Sequence, residues 1–138
     1  MKTSIEETVI LDATDQVLGR LAVRAAIILR GKHKPTFLPY RLSGDKVMIT
    51  NAEKIRVTGR KSLQEHTFRH TGWPRGLRSQ QLRDRLEQNP ERVITDAVQG
   101  MLPKNRLTKE WMKRLTITKG QPTANGSPTT AEQNRRSQ

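Results

Sequence analysis

The stretch from Asp15 to Lys32, "DQVLGRLAVRAAIILRGK", limits the possible folds more than any other part of the chain. Leu18, Leu21, Ala22, Ala25, Ile28 and Leu29 recur at helical spacing and make one apolar face. Asp15 stands where an N-cap is wanted, and Gly31 can adopt the left-handed conformation that ends a helix. Val17, Val23 and Ile27 fall off that face, which predicts protein contact on more than one side of the helix. Ahead of it, the β-branched run "TVILDA" predicts a buried strand. Behind it, past the proline-bracketed loop "PTFLPYRLSGD", the runs "KVMIT" and "IRVTG" predict two more, with Gly44-Asp45 as the turn into the first. Strands alternating with a helix in this way call for an α/β architecture with a small, mainly parallel sheet.

The second half is harder to read. From Gly59 to Ser79 the chain is basic, dotted with glycine and proline and without clear periodicity, which predicts a long loop. "SQQLRDRLEQ" reads as a polar helix. Asn89 then caps another that begins at Pro90, carries the apolar stripe Val93, Ile94, Ala97, Val98 and Met101, and stops at Pro103. "NRLTKEWMKRL" predicts a helix burying Leu107 and Trp111, and "RLTIT" a last strand. From Gly120 to Gln138 no aliphatic residue is larger than alanine. We therefore expect a folded domain over residues 1–119 and a disordered polar tail over 120–138.

Charge narrows the partners. The formal net charge is +13, and the excess lies in three blocks. Between residues 20 and 46, Arg20, Arg24, Arg30, Lys32, Lys34, Arg41 and Lys46 face Asp45 alone; residues 54–92 and 104–119 are similarly basic. One such block can be a solvated face, but three on one small domain favour an extended polyanion, with nucleic acid ahead of an anionic membrane surface. The absence of cysteine excludes disulfides, thiolate metal sites and cysteine nucleophiles. No apolar run is long enough to span a bilayer and the N-terminus lacks a signal-peptide core, so a soluble, non-secreted protein is expected.

Enzyme motifs fail on inspection. Gly31-Lys32 lacks the partner glycine of a phosphate-binding loop, because Ala26 occupies its place, and His33 stands where a magnesium-binding hydroxyl is needed. Gly19 stands alone where a dinucleotide fingerprint needs three glycines. His66 and His70 are four apart, but nothing between them supplies a third ligand. In contrast, "TGRKS" and "FRHTGWPRGLRS" interleave Arg and His with Gly, hydroxyls and aromatics. Glycine lets backbone N–H groups approach phosphate, and arginine forks onto its oxygens. Phe68 or Trp73 can stack on an unpaired base or, equally, pin the loop to the core.

"LDATDQVLGRLAVRAAIILRGKHK", "GDKVMITNAEKIRVTGRK", "RHTGWPRGL", "NPERVITDAVQGMLPKNRL" and "KRLTITKG" together resemble the L-thirteen family of large-subunit ribosomal proteins, bacterial or organellar type. The resemblance is collinear from about Val9 to Gly120. It implies a three-layer α/β/α single domain and a structural role: binding large-subunit ribosomal RNA, supporting subunit assembly and translation, beside neighbouring large-subunit proteins. It implies no catalysis, cofactor, metal, membrane or small-molecule substrate. The implied setting is the cytoplasmic ribosome, with a mitochondrial or plastid ribosome as the alternative. A free-standing RNA-binding regulator is the alternative function. Carried over position by position, the RNA-facing motifs fall on Arg30, Lys32, His33 and Lys34, on Arg60 and Lys61, on Arg69, His70 and Thr71, and on Lys104. Trp73, Arg75, Arg78 and Arg106 join them from the same basic stretches. Near Lys104, burial of Val98, Met101 and Leu102 with a stop at Pro103 is expected to turn the lysine outward. The family's Gly-Gly after His-Thr-Gly is Arg75-Gly76 here.

Overall fold

The chain passes from strand to helix to strand as its periodicities predict. In the computed structural model, which describes residues 7–120, the elements are β1 (Thr8–Asp12), α1 (Leu18–Arg30), β2 (Lys46–Thr50), a 3-10 turn (Ala52–Lys54), α2 (Lys61–Gln64), β3 (His66–His70), β4 (Leu77–Gln81), α3 (Leu82–Gln88), α4 (Pro90–Met101), α5 (Leu107–Lys113) and β5 (Leu115–Ile117). β2 is the central strand of a parallel sheet in the order β1-β2-β5, with Val47 opposite both Val9 and Leu115. β3 and β4 form a separate antiparallel ribbon. This is a mixed α/β domain with a small parallel sheet.

The core is built by the faces that the periodicity marks. Leu21, Ala22, Ala25, Ala26 and Leu29 of α1 meet Val47 and Ile49 of β2, Ile94 and Val98 of α4, Leu102 and Trp111, all buried. Small residues on α1 let α4 pack closely against it. Gly31 ends α1 at φ 76°, donating its N–H to the helix's last carbonyls. The segment from Ser43 to Asp45 crosses that helix end in backbone contact. A Cβ on Gly31 would lie 2.9 Å from the Ser43 carbonyl carbon, and one on Gly44 would lie 1.7 Å from the Leu29 carbonyl oxygen.

Several expectations need correcting. β1 is not a buried strand but a sheet edge, with Ile10 exposed and only alternate residues half-buried. Asp15 does not cap α1. It sits at φ 56° with its N–H on the Lys54 carbonyl, and Val17 precedes the helix because Val17 and Arg56 form a parallel bridge. That bridge is all that forms of the "IRVTG" strand. Val23 and Ile27 are exposed, so α1 buries one face only. The expected loop from Gly59 to Ser79 instead holds α2, β3 and most of β4, and the polar helix shrinks to α3 because Gln80 and Gln81 stay in the strand. Asn89 stands at the N-cap of α4 without a side-chain capping bond.

Met101 closes the expected α4 stripe but is 41% exposed, whereas Leu102 just beyond it is buried. Met101→Ala is therefore expected to cost at most about 1 kcal/mol in a denaturant melt. A loss several times larger would return the side chain to the core. Gly120 belongs to the folded unit, since its carbonyl accepts from the Asn51 N–H at 3.1 Å. The expected disorder beyond it lies outside the described residues. At the same end of the sheet, Asp12 ties β1 to Asn51. The Asn51 side-chain amide, the Thr14 N–H and the Thr14 hydroxyl hydrogen-bond its carboxyl and hold its pKa down to about 2.

Candidate nucleic-acid interface

The first basic group is set by the end of α1. Arg30 lies half-buried, its guanidinium 5.7 Å from the Phe37 ring centroid and 5.9 Å from that of Trp111. It joins the helix end to the following loop and to α5. Lys32 stands exposed just past Gly31. His33 and Lys34 do not simply face outward: their Nε2 and Nζ lie 3.0 and 2.5 Å from the two carboxylate oxygens of Asp45. Asp45 is 1% exposed and also accepts the Glu7 N–H at 3.3 Å. Burial pushes its carboxyl pKa up. The Lys34 hydrogen bond, the Glu7 N–H, the Lys34 charge and the His33 contact outweigh that and hold it below the usual carboxylate range. One buried acid thus fixes the shape of the "RGKHK" loop.

The second group is the ribbon. Arg60 precedes α2 and Lys61 begins it, both exposed. In β3 and β4, Thr67 pairs with Gln80 and Arg69 with Arg78 on one face, while His66, Phe68 and His70 share the other with Gln81, Ser79 and Leu77. The second face is open: Phe68 is 65% exposed, with the His66 ring stacked 6.2 Å away. At the tip, the Thr71 N–H bonds the Gly76 carbonyl at 3.0 Å, and the Gly72 N–H bonds His70 Nδ1 at 2.9 Å. Trp73 is 75% exposed there, so neither ring pins the ribbon to the core. Arg75 sits at φ 61°, a conformation costly for any residue but glycine, on the order of 1 kcal/mol.

The ribbon's basic face looks onto the corner where α3 meets α4. Arg85 is fixed at that corner, donating to Thr67 Oγ1 at 3.0 Å and pairing with Asp96 of α4 at 2.5 Å. Around it Arg69, Arg78, Gln80, Asn89 and Arg92 line a cleft of about 420 Å³. The third group is the corner between α4 and α5. Pro103 follows the helix, the Thr108 hydroxyl donates to its carbonyl, and the Asn105 side chain accepts the Thr108 N–H at 3.2 Å. Lys104 and Arg106 are both exposed around this turn.

The structure therefore gathers Arg69, His70, Thr71, Trp73, Arg75 and Arg78 on one ribbon, with Arg60 and Lys61 in the turn leading to it. It leaves Arg30 to Lys34 and the Lys104 corner as separate groups. Sequence reasoning missed Asp45, Arg85 and Arg92. The one available signal was that Asp45 is the lone acid among seven bases. Among the described residues no three His, Asp or Glu side chains are grouped to hold a metal ion, and no helix is long and apolar enough to cross a membrane.

A family model described as "Ribosomal protein L13" matches residues 6–124. Among similar proteins, the "Large ribosomal subunit protein uL13" of Micrococcus luteus is 52% identical over 111 residues, covering 80% of this chain and 76% of that one. The protein of the same name from Bifidobacterium longum strain DJO10A is 55% identical over 80% of this chain and 74% of its own. That from Mycobacterium avium strain 104 is 48% identical over 80% and 76%.

Proposed function

This chain belongs to the ribosomal protein L13 family, and on that premise we propose that its three basic groups bind large-subunit ribosomal RNA and hold separate RNA segments together as the subunit assembles. It is a structural constituent of the large ribosomal subunit and not an enzyme. The observation that carries the RNA reading is the set of exposed cations on the ribbon and its approach. Arg60, Lys61, Arg69, Arg75 and Arg78 have no acidic partner among the described residues, whereas Arg83, Arg85 and Lys113 each pair with a carboxylate. A rigid core that keeps such groups apart can bridge RNA segments distant in sequence, and release of condensed counterions drives the association. Backbone contacts set the register, so sequence readout is slight. Neighbouring large-subunit proteins are the other expected contacts, and the bacterial relatives favour a cytoplasmic ribosome as the setting.

Reversing Arg60 and Lys61 to Glu tests this directly. Neither side chain supports the core, so the melting temperature is expected to stay within a degree or two. Affinity for large-subunit RNA should fall at least about tenfold, and the slope of log K against log salt should flatten by about two. Unchanged affinity and slope would remove this turn from the interface. Sedimentation of a native lysate tests the assignment as a whole: the protein should travel with the large subunit through a moderate salt wash.

A further inference from the structure

The cleft between the β3–β4 ribbon and the α3–α4 corner has more structure than a generic basic surface. Arg69 and Arg78 stand directly opposite each other on the ribbon, and like charges in that position repel. The ribbon has only two strands and every residue of β3 is exposed, so no core burial offsets the repulsion. Arg92 approaches from α4. The acid that lines the cleft, Asp96, is already paired with Arg85, so the other three guanidiniums have no acidic partner among the described residues. An anion seated between them would turn the repulsion into a fork of charge-assisted hydrogen bonds.

The rest of the lining is suited to a base. Gln80 donates to Gln88 at 3.1 Å, which leaves the Gln80 carbonyl oxygen for a ligand. Asn89, at the N-cap of the twelve-residue α4, makes no capping bond, so both its amide groups are available where the helix's positive end opens. An amide offers a donor and an acceptor side by side, the pattern that matches a base edge. A volume of about 420 Å³ lies within the range of pockets that enclose small ligands. A duplex hides its base edges and presents convex phosphate ridges, whereas an unpaired nucleotide can enter such a concavity.

Building on the RNA reading above, we propose that this cleft seats one unpaired nucleotide of an RNA strand, with its phosphate on Arg69, Arg78 and Arg92 and its base edge on Gln80 and Asn89. Arg85 is a positioning residue: held by Thr67 and Asp96, it fixes the angle between ribbon and helix.

The test compares the full-length protein with Arg92→Gln and Arg78→Gln on two fluorescent probes, an RNA single strand of about 12 nucleotides and the same strand annealed to its complement. Each variant should bind the single strand about tenfold more weakly, and Arg92→Gln should bind the duplex within about twofold of wild type. Arg78→Gln should melt at or above the wild-type temperature, since it removes a like-charge pair. Equal losses on both probes, or no loss on either, would make the cleft an undifferentiated basic patch and overturn the proposal while RNA binding itself stands. Failure of the wild-type protein to bind either probe would remove the RNA reading along with it. Millimolar nucleoside monophosphate gives the last arm. If it raises the melting temperature of wild type but not of Arg92→Gln, while the two bind the single strand equally, the cleft serves a free nucleotide, and its assignment to an RNA strand is overturned while RNA binding elsewhere on the protein stands.

Discussion

Gly44→Ala is expected to lower the melting temperature by more than about 15 °C, the equivalent of about 4 kcal/mol or more for a domain of this size. The added methyl would sit 1.7 Å from the Leu29 carbonyl oxygen and 2.4 Å from its carbon, both backbone atoms of a helix that cannot yield. Relief requires the Ser43–Asp45 segment to move off the end of α1. That movement breaks the hydrogen bond from the Asp45 N–H to the Ile28 carbonyl at 3.3 Å and the one from Arg114 Nη1 to the Gly44 carbonyl at 2.6 Å. It also withdraws Asp45 from beneath His33 and Lys34. Overpacking an ordinary core site costs typically about 1–3 kcal/mol because side chains can rotate aside, and here none is available to do so. Gly100→Ala is the internal control. Gly100 lies in α4, where an added methyl would meet nothing within 4 Å, and that change should stabilise by about 0.5–1 kcal/mol. If both substitutions shift stability equally, the close approach at Gly44 is wrong.

The difference between these two glycines illustrates what the sequence could reveal. Gly44 reads as a turn and Gly100 lies inside the helix that begins at Pro90, but only the crossing of two segments apart along the chain reveals that the first has no room for a methyl and the second has. The same holds more widely. The α1 and α4 helices and the β2 strand were legible because each buries one face, so apolar residues recur with the period of the element. The β3–β4 ribbon was not, because Thr67, Arg69, Arg78 and Gln80 are polar on one face while His66, Phe68, His70 and Leu77 alternate with them on the other, both exposed. A strand that buries nothing leaves no hydrophobic period to find. "IRVTG" carried the opposite error: its β-branched residues look like a strand, but only the single Val17 bridge forms there. At the interface, the basic residues were visible by type and by resemblance. Their division into those held by Asp45, those on the ribbon and those around the cleft depends on contacts between residues far apart in sequence.

Asp45→Asn shows how strongly one such contact supports the fold. At neutral pH it is expected to cost about 3 kcal/mol, or about 10 °C in melting temperature. It removes a buried carboxylate that neutralises Lys34, meets His33 and accepts the Glu7 N–H. Asparagine keeps the shape but not the charge, and its amide nitrogen must point at Lys34 or at His33. The pH dependence identifies the cause. The folded carboxyl titrates below the ordinary value of about 3.9, so near and below that pH the unfolded chain takes up the proton more readily than the folded one. The stabilisation is therefore complete above the unfolded value and is lost as pH falls through about 4 toward the folded one. Wild type and Asp45→Asn should differ by a constant amount from neutrality down to about pH 5, and their stabilities should converge below about pH 4. Repeating the pair in a His33→Gln background takes the His33 contact out of the comparison. A gap that persists undiminished at pH 3 would mean that Asp45 acts through shape and its charge contributes nothing. A gap absent at pH 7 would mean that the "RGKHK" loop is held by the Gly31 turn alone.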